Sequence, residues 1–287
     1  MTNPNTTPPA PRSREMPESL SVVIPCFNEE EVLPELHRRL SLVLADITIP
    51  KIEVILVDDG SKDRTWEILS EFQGRDPRLK CIKLSRNYGH QMALTCGLDQ
   101  AQGEVILIID ADLQDPPELI TKMIARWAAG YDVVYGKRVS RRGETAMKRF
   151  FAFAFYRIIS RITGVYIPRD TGDFRLMDQG ALKALLQLRE RHRFVRGMVS
   201  WIGFAQTPIE YERPERFAGE TKYPFRKSLR LAFDAITSFS YAPLRLASYL
   251  GVALSGLAFL YVALVIALKV LGINYPGYTS LMASVLL

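Results

Sequence analysis

Acidic residues crowd two places in the sequence, each directly after a short run of Val, Ile and Leu. The first group, VDDGS, contains Asp58 and Asp59, and the second, DADLQD, contains Asp110, Asp112 and Asp115. Carboxylates so close together repel one another unless a cation lies among them. A D-x-D pair after a buried strand can present hard oxygen ligands to Mg²⁺ or Mn²⁺, which can also bind a diphosphate. The pattern predicts a metal and phosphate site, although a lone D-x-D more often forms a turn that caps the next helix.

The elements that must position these acids are short strands that alternate with helices. Runs rich in β-branched residues predict strands at Leu20–Pro25, Ile52–Val57, Cys81–Leu84, Val105–Ile109 and Val133–Tyr135. Helical spacing of apolar residues predicts helices at Glu29–Ile47, Thr65–Gln73, Gln91–Ala101 and Pro117–Ala129. This alternation indicates an α/β fold with a mainly parallel sheet covered on both faces. Ligands of such folds bind at the carboxyl ends of the strands, where both acidic groups lie.

Composition and motifs exclude several classes of protein. The chain has 287 residues, 48% of them hydrophobic, and 37 Lys and Arg against 31 Asp and Glu give a net charge of +6. It is too apolar for a disordered protein. Its widely spaced cysteines form no C-x-x-C pair, which argues against a disulfide scaffold or structural zinc. P-loop and dinucleotide-binding sites also lack their glycine signatures in this sequence.

The C-terminal part of the chain differs in kind. Leu246–Leu268 contains no charged residue and is long enough to cross a hydrocarbon core of ~30 Å, although a buried core helix is the alternative. The cations that precede it are Arg226, Lys227, Arg230 and Arg245. This positive flank predicts that the large domain stays cytoplasmic. Ile273–Leu287 is also uncharged and predicts the beginning of a second span, which would make the chain a multi-pass protein of the cell inner membrane.

A basic and aromatic segment precedes this region. Between Lys137 and Arg161, Lys and Arg residues alternate with Phe, Tyr and Ile, and Glu144 is the one acid. The pattern is typical of an amphipathic helix at a membrane interface, and an ordinary surface helix with one buried face is the alternative. The basic residues lie beside aromatic stripes and not in a nucleic-acid-binding motif, so we expect no nucleic acid partner.

Six motifs in a fixed order resemble one family. They are VIPCFNEE (Val23–Glu30), VDDGS (Val57–Ser61), LSRNYG (Leu84–Gly89), DADLQDPPE (Asp110–Glu118), GKR (Gly136–Arg138) and DTGDFRLMD (Asp170–Asp178). Together they are similar to family 2 inverting glycosyltransferases with the GT-A fold, which is Rossmann-like. Within that family the chain resembles the polyprenyl-phosphate sugar transferases, which include dolichyl-phosphate mannose synthase and the bacterial bactoprenol glucosyltransferases. The resemblance implies transfer of a hexose, with UDP-glucose the favoured donor, to polyprenyl (undecaprenyl) phosphate at the cytoplasmic face of a lipid bilayer.

The resemblance also implies roles for the matching residues. Asp112, assisted by Asp110 and Gln114, would hold Mg²⁺ or Mn²⁺. The residues implied to bind the nucleotide sugar are Pro25, Phe27, Asn28, Glu29, Val57, Asp59, Asn87, Gly89, Ala111, Arg216 and Lys222. Arg216 and Lys222 match an R-x-x-G-x-[ST]-K loop that closes over the diphosphate. The implied catalytic set is Asp110, Asp112, Asp173 and Arg138.

A lipid phosphate acceptor reduces the need for a catalytic base. A monophosphate has a second pKa of about 6, so it is largely a dianion at pH 7. The site must instead hold two anions in line across the anomeric carbon. The candidate residues for the acceptor phosphate are Arg138, Arg149, Arg175 and Asp170. Asp173 is expected in the site, either as a base or as a binding group.

Two other functions share these features. A processive polysaccharide synthase has the same fold and D-x-D pair, but its Q-x-x-R-W motif is absent because Arg196 and Trp201 are too far apart. A membrane-tethered module that binds sugar nucleotides without catalysis would not require the complete set of acids.

The motifs and the uncharged stretch together divide the chain. We predict a disordered tail at 1–19, a GT-A catalytic domain at 20–225, an amphipathic juxtamembrane helix at 226–244 and a transmembrane region at 245–287. The uncharged region leaves helix faces on which copies of the chain could associate as a homo-oligomer.

Overall fold

The computed structural model describes residues 13–139, 171–188, 190, 193–212, 214 and 242–272. The chain divides into two units, Met1–Ser238 and Phe239–Leu287. The strands of the first unit are β1 (Ser19–Cys26), β2 (Lys51–Asp58), β3 (Leu79–Lys83), β4 (Val105–Ile108), β5 (Val133–Arg138), β6 (Thr171–Asp178) and β7 (Gln206–Tyr211). Its helices are α1 (Leu33–Ala45), α2 (Thr65–Arg75), α3 (His90–Gln100), α4 (Ile120–Ala128), α5 (Gln179–Gln187) and α6 (Val195–Trp201).

In the described part of this unit, seven strands form one sheet in the order β3-β2-β1-β4-β6-β5-β7. Four strand pairs are parallel, whereas β6 runs antiparallel to both of its neighbours. The predicted α/β fold with a mainly parallel sheet is therefore confirmed. All five predicted strands and all four predicted helices are present, with shifted ends.

Two differences from the predicted elements have physical causes. Helix α1 begins at Leu33 and not at Glu29, because Pro34 occupies its first turn, where a missing N–H costs no hydrogen bond. The strand β6 was not predicted, because its buried residues include Thr171, Asp173 and Arg175, which interrupt the apolar pattern.

The core of this unit depends on close contact between α3 and the sheet. Val22, Val23 and Ile24 of β1 are fully buried. Gly97 of α3 faces this strand, and a Cβ atom at Gly97 would lie only 2.4 Å from Val23 Cγ1. A residue without a side chain therefore allows the helix to approach the sheet.

Strand direction brings one end of each of the seven described strands to the same edge of the sheet. The parallel strands β1, β2, β3 and β4 end there, and β5 and β7 end there as well because they run in the same direction. Since β6 runs the other way, its first residues, Thr171 to Asp173, lie at this same edge. This topology positions the candidate site.

The described part of the second unit contains one long helix, α7 (Ala242–Val270). Its segment Ala247–Val270 spans 24 residues and is long and apolar enough to cross a membrane, judged by length and composition. The predicted second span, most of the juxtamembrane helix and most of the basic and aromatic segment lie outside the described residues.

Candidate active site

Hydrogen bonds join the loops that follow β1 and β2. Asn28 adopts a left-handed conformation with φ of 51°, which Asn tolerates better than most residues. Its Oδ1 accepts from the backbone N–H of Lys62 at 2.9 Å, and its own N–H donates to Ser61 Oγ at 2.9 Å. The N–H of Glu29 donates to Thr65 Oγ1 at 2.8 Å. The two loops therefore form one continuous wall.

A cavity of about 380 Å³ opens beside this wall. It is lined by Asn28, Glu29, Glu30, Glu31, Val32, Lys62 and Asp63. Its acidic side chains would repel a diphosphate but can accept hydrogen bonds from hydroxyl groups. The cavity can therefore take a ligand that presents hydroxyl groups.

Asp59 fixes the loop that precedes α3. Its Oδ1 accepts from the backbone N–H of Tyr88 at 2.7 Å, and its Oδ2 accepts from that of Gly89 at 2.9 Å. Burial raises the pKa of Asp59 even though these bonds act against the rise. The turn at Gly60, with φ of 68°, passes so close to Arg86 that a Cβ would lie 2.5 Å from its carbonyl carbon. Asp59 thus shapes the site through the backbone.

The D-x-D pair lies at the end of β4. Asp112 is 9% exposed, and its Oδ1 accepts from the backbone N–H of Gln114 at 3.1 Å. Leu113 between them has a left-handed φ of 58°, which is costly for a leucine and holds the turn in an unusual shape. Asp110 Oδ1 is buried without a hydrogen bond among the described residues. Burial raises the pKa of Asp110, and the neighbouring Asp173 and Asp112 raise it further against the effect of His90.

Asp173 is the centre of a buried network. It is 1% exposed, and Arg196 donates to it from Nε at 2.9 Å and from Nη2 at 3.0 Å. Gln91 Nε2 donates to Asp173 Oδ2 at 3.2 Å. His90 Nε2 lies 3.3 Å from the same oxygen and 3.5 Å from Asp110 Oδ1. Burial opposes a charge on His90, but the two carboxylates raise its pKa to about 9.

A second buried acid, Asp115, is paired with residues from β5 and β7. It is 1% exposed, and its Oδ1 accepts from the hydroxyl of Tyr211. Arg138 Nη2 lies 3.8 Å from Asp115 Oδ1, and Arg138 Nε donates to the Tyr211 hydroxyl at 3.4 Å. Burial and the nearby Asp110 raise the pKa of Asp115 to about 7. These contacts hold the Arg138 guanidinium at the edge of the site, and the Arg138 side chain is 19% exposed.

Arg175, by contrast, points into the protein. It is 3% exposed and donates to the backbone carbonyls of Asp173 at 3.2 Å and Gly172 at 3.0 Å. Burial lowers the pKa of Arg175 to about 10. Its contacts support the first residues of β6, and they do not place its guanidinium as an open phosphate ligand.

The donor groups beside the D-x-D pair fit a hard cation. Among the described residues, no group of three or more His, Cys, Asp and Glu side chains is arranged to hold a metal by itself. Mg²⁺, however, is commonly bound by one or two carboxylates together with substrate phosphates and water. The buried Oδ1 atom of Asp110 accepts no hydrogen bond among the described residues, and with Asp112 and Gln114 beside it this is consistent with that mode of binding.

The predicted residues fall into three groups. The structure gathers Asp110, Asp173 and Arg138 at one edge, with Asn28 and Asp59 further along it. The side chains of Pro25, Val57 and Ala111 are buried, so a ligand could meet only their backbone. The predicted residues outside the described ranges are Arg149, Asp170, Arg216 and Lys222.

Sequence reasoning missed four residues of the site: His90, Gln91, Arg196 and Tyr211. His90 and Gln91 follow the LSRNYG motif directly, which was a usable signal. Arg196 and Tyr211 belong to a helix and a strand that carry no recognised motif. Their roles appear only when the order of the strands is known.

An α/β sheet with a D-x-D pair after its fourth strand and further acids at the same edge defines the class of GT-A glycosyltransferases. Residues 21–186 match the family described as glycosyl transferase family 2, and the chain belongs to this family.

Relatives of similar length include enzymes with a named lipid substrate. The chain is 52% identical to the glycosyltransferase YkcC of Bacillus subtilis over 93% of this chain and 83% of that protein. It is 38% identical to a prophage bactoprenol glucosyl transferase homolog of Escherichia coli, over 93% of this chain and 87% of that protein. The bactoprenol glucosyl transferase of Shigella phage SfV is also 38% identical, with the same coverage.

A solved structure confirms the fold. Glucosyl-3-phosphoglycerate synthase from Mycobacterium tuberculosis, solved with Mn²⁺, UDP and phosphoglyceric acid, superposes with a TM-score of 0.54. It is 16% identical, and the match covers 76% of each chain. This likeness concerns the fold alone.

Proposed function

We propose that this chain is an inverting hexosyltransferase that moves glucose from UDP-glucose to polyprenyl (undecaprenyl) phosphate at the cytoplasmic face of a membrane. The observation that carries the proposal is the 38% identity to bactoprenol glucosyl transferases across 93% of the chain. The edge of the sheet, which carries acids for a cation and the Arg138 guanidinium for an anion, supports it.

The proposed reaction is a displacement at the anomeric carbon. An oxygen of the lipid phosphate forms the new bond to C1 of glucose. The bond from C1 to the UDP oxygen breaks, and its electron pair leaves with UDP. Attack from the face opposite UDP inverts the configuration. Because the lipid phosphate is already largely a dianion at pH 7, no residue has to remove its proton.

The contacts of Asp173 favour a binding role over that of a base. Burial alone would raise its pKa, but Arg196 and His90 outweigh burial and hold the pKa well below the usual range. A carboxylate whose two oxygens already accept four hydrogen bonds is a poor proton acceptor.

Arg138 is the proposed cation for the acceptor phosphate. An attacking phosphate must approach a donor that is itself negative, and repulsion at a few ångströms amounts to several kcal/mol at an effective dielectric constant of ~20. A Cβ at Gly172 would lie 2.6 Å from Arg138 Nη2, so this glycine leaves room for the guanidinium. Arg149 and Asp170 remain proposed partners of the same phosphate.

Asp112, Asp110 and Gln114 are the proposed ligands of Mg²⁺ or Mn²⁺. Bound there, the cation would neutralise charge on the leaving diphosphate. The Mn²⁺ and UDP in the mycobacterial enzyme of the same fold support this assignment. The loop with Arg216 and Lys222 would supply further positive charge.

Attachment to the membrane is the last part of the proposal. Ala247–Val270 would anchor the chain, with a catalytic domain at 20–225 on the cytoplasmic side and a second span in 273–287. An enzyme anchored in this way meets its lipid acceptor at the membrane surface.

A transfer assay tests the proposal. Membranes that contain the full chain are incubated with radiolabelled UDP-glucose, GDP-mannose or UDP-N-acetylglucosamine, with and without polyprenyl phosphate and Mg²⁺. We expect radiolabel in the lipid fraction from UDP-glucose, and only when polyprenyl phosphate and Mg²⁺ are both present. Label in a polymer would favour a processive synthase, and donor binding without transfer would favour a binding module.

A further inference from the structure

The helix α6 is joined to the site by two residues. The backbone N–H of Val195, at the start of α6, donates to Gln91 Oε1 at 3.0 Å. The Nε2 atom of the same Gln91 side chain donates to Asp173 Oδ2, so Gln91 connects α6 with Asp173. Arg196, the next residue of α6, contacts Asp173 with two nitrogen atoms. In the reaction as proposed above, Arg196 serves only to keep Asp173 ionised, and α6 has no role.

We infer that Arg196 is a positioning residue, which fixes the Asp173 carboxylate and through it holds His90 against Asp110. This inference rests on the proposed function. The guanidinium fork contacts both oxygens of Asp173, so it defines the rotation of the carboxylate as well as its charge. His90 lies 3.3 Å from Asp173 and 3.5 Å from Asp110, within reach of both acids. An altered Asp173 rotation would therefore move His90 away from the D-x-D pair.

The burial of Asp173, His90 and Arg196 supports this order of action. Asp173 is 1% exposed, whereas the side chains of His90 and Arg196 are each 28% exposed. The acid is therefore the buried anchor, and both partners lie nearer the open side of the site. Without Arg196, the buried Asp173 carboxylate would keep only one charged partner, His90, and the loss of the other is costly.

Lysine cannot reproduce this contact. Its single ammonium nitrogen is a point charge that cannot bind both carboxylate oxygens in the fork geometry. Arg196→Lys should therefore keep the charge balance but lose the fixed rotation, whereas Arg196→Ala loses both. The matched control is Arg193, three residues earlier, whose guanidinium donates to the Leu188 carbonyl at 2.9 Å.

The experiment measures kcat, both KM values and UDP-glucose binding for the full-length chain in detergent or vesicles with polyprenyl phosphate. Loss of groups that orient the ligands of a metal typically lowers activity about 10–100-fold, and Arg196 would act on Asp110 in a comparable way through Asp173 and His90. We expect Arg196→Ala to lower kcat by that factor with UDP-glucose affinity within about threefold. Arg196→Lys should lie between Ala and wild type, and Arg193→Lys should match wild type. Added guanidinium ion should restore part of the activity of Arg196→Ala, which a general folding defect would not allow.

Three outcomes would overturn the inference. These are a kcat for Arg196→Ala within threefold of wild type, an equal loss for Arg193→Lys, or a fall in UDP-glucose affinity as steep as the fall in kcat. A wild-type chain that makes no lipid-linked sugar would contradict the proposed function instead. In that case the contact between Arg196 and Asp173 is tested by thermal unfolding of Arg196→Ala, Asp173→Asn and the double variant. Non-additive shifts in Tm support the pairing, and additive shifts overturn it.

Discussion

Tyr211 and Asp115 allow a direct test of how the site tolerates buried acids. Asp115 is 1% exposed, and its Oδ2 has no hydrogen bond among the described residues, so the Tyr211 hydroxyl on Oδ1 is a major stabilising contact. Tyr211→Phe removes that hydroxyl. It keeps the ring, which packs edge-on against Phe174 with 5.8 Å between ring centres. The substitution therefore isolates one hydrogen bond to a buried carboxyl group.

The expected cost follows from that contact. At about pH 8, above the Asp115 pKa of about 7, this carboxyl group is mostly ionised. A hydrogen bond to a charged group contributes about 1.5–3 kcal/mol to the free energy of unfolding. For a domain of this size such a loss lowers Tm by roughly 4–10 °C. Thermal unfolding of the purified full-length chain measures it, and the double variant Tyr211→Phe/Asp115→Asn should recover part of the loss because the carboxylate charge is gone.

The matched control is Tyr88→Phe. The Tyr88 hydroxyl is exposed and lies 3.1 Å from Ser85 Oγ, so its removal should change the free energy of unfolding by less than about 0.5 kcal/mol. If Tyr211→Phe is as stable as Tyr88→Phe, the Tyr211 hydroxyl does not stabilise Asp115 and the reasoning is refuted.

Three further predictions concern metal binding, pH and packing. Asp112→Asn should lower transfer on the order of 100-fold with little change in Tm, and wild-type rates at saturating Mg²⁺ would contradict the metal assignment. Burial lowers the pKa of His37, so the unfolded chain binds a proton near pH 6.5 that the folded chain does not. Stability should therefore fall as pH drops below about 6.5, and His37→Phe, which keeps the stack on Phe72, should reduce that fall in denaturant titrations. Gly97→Ala should destabilise by about 1–3 kcal/mol through contact with Val23, whereas Gly74→Ala, with no atom within 4 Å of its Cβ, should be neutral or stabilising.

The strands that could be predicted from the sequence are those whose buried residues are apolar. β1, β2 and β4 each contain a continuous apolar run and were predicted as strands. β6 buries Asp173 and Arg175 within a strand, so its polar residues conceal it from any hydropathy pattern. Such a strand becomes visible only through the partners that satisfy its buried charges.

The site residues that could be predicted are those that directly follow a strand with a recognisable apolar pattern. Asp110, Asp112 and Asp59 follow strands with a recognisable pattern, so their shared edge could be inferred from the parallel sheet. Arg196 lies 23 residues after Asp173 on a different element, and its position depends on the packing of α6. Arg175 was predicted from its charge as a phosphate ligand, but the direction of a strand residue depends on register, which places it on the inside.

The configuration of the product tests the central claim most directly. Full-length enzyme is incubated with UDP-glucose, whose glucose is α-linked, and with polyprenyl phosphate and Mg²⁺, and the lipid product is purified for mass spectrometry and NMR. We predict one glucose on one phosphate, in β linkage, with one UDP released per product. An α-linked product, a lipid that carries a diphosphate or more than one sugar, or free glucose in place of a lipid product would contradict this account.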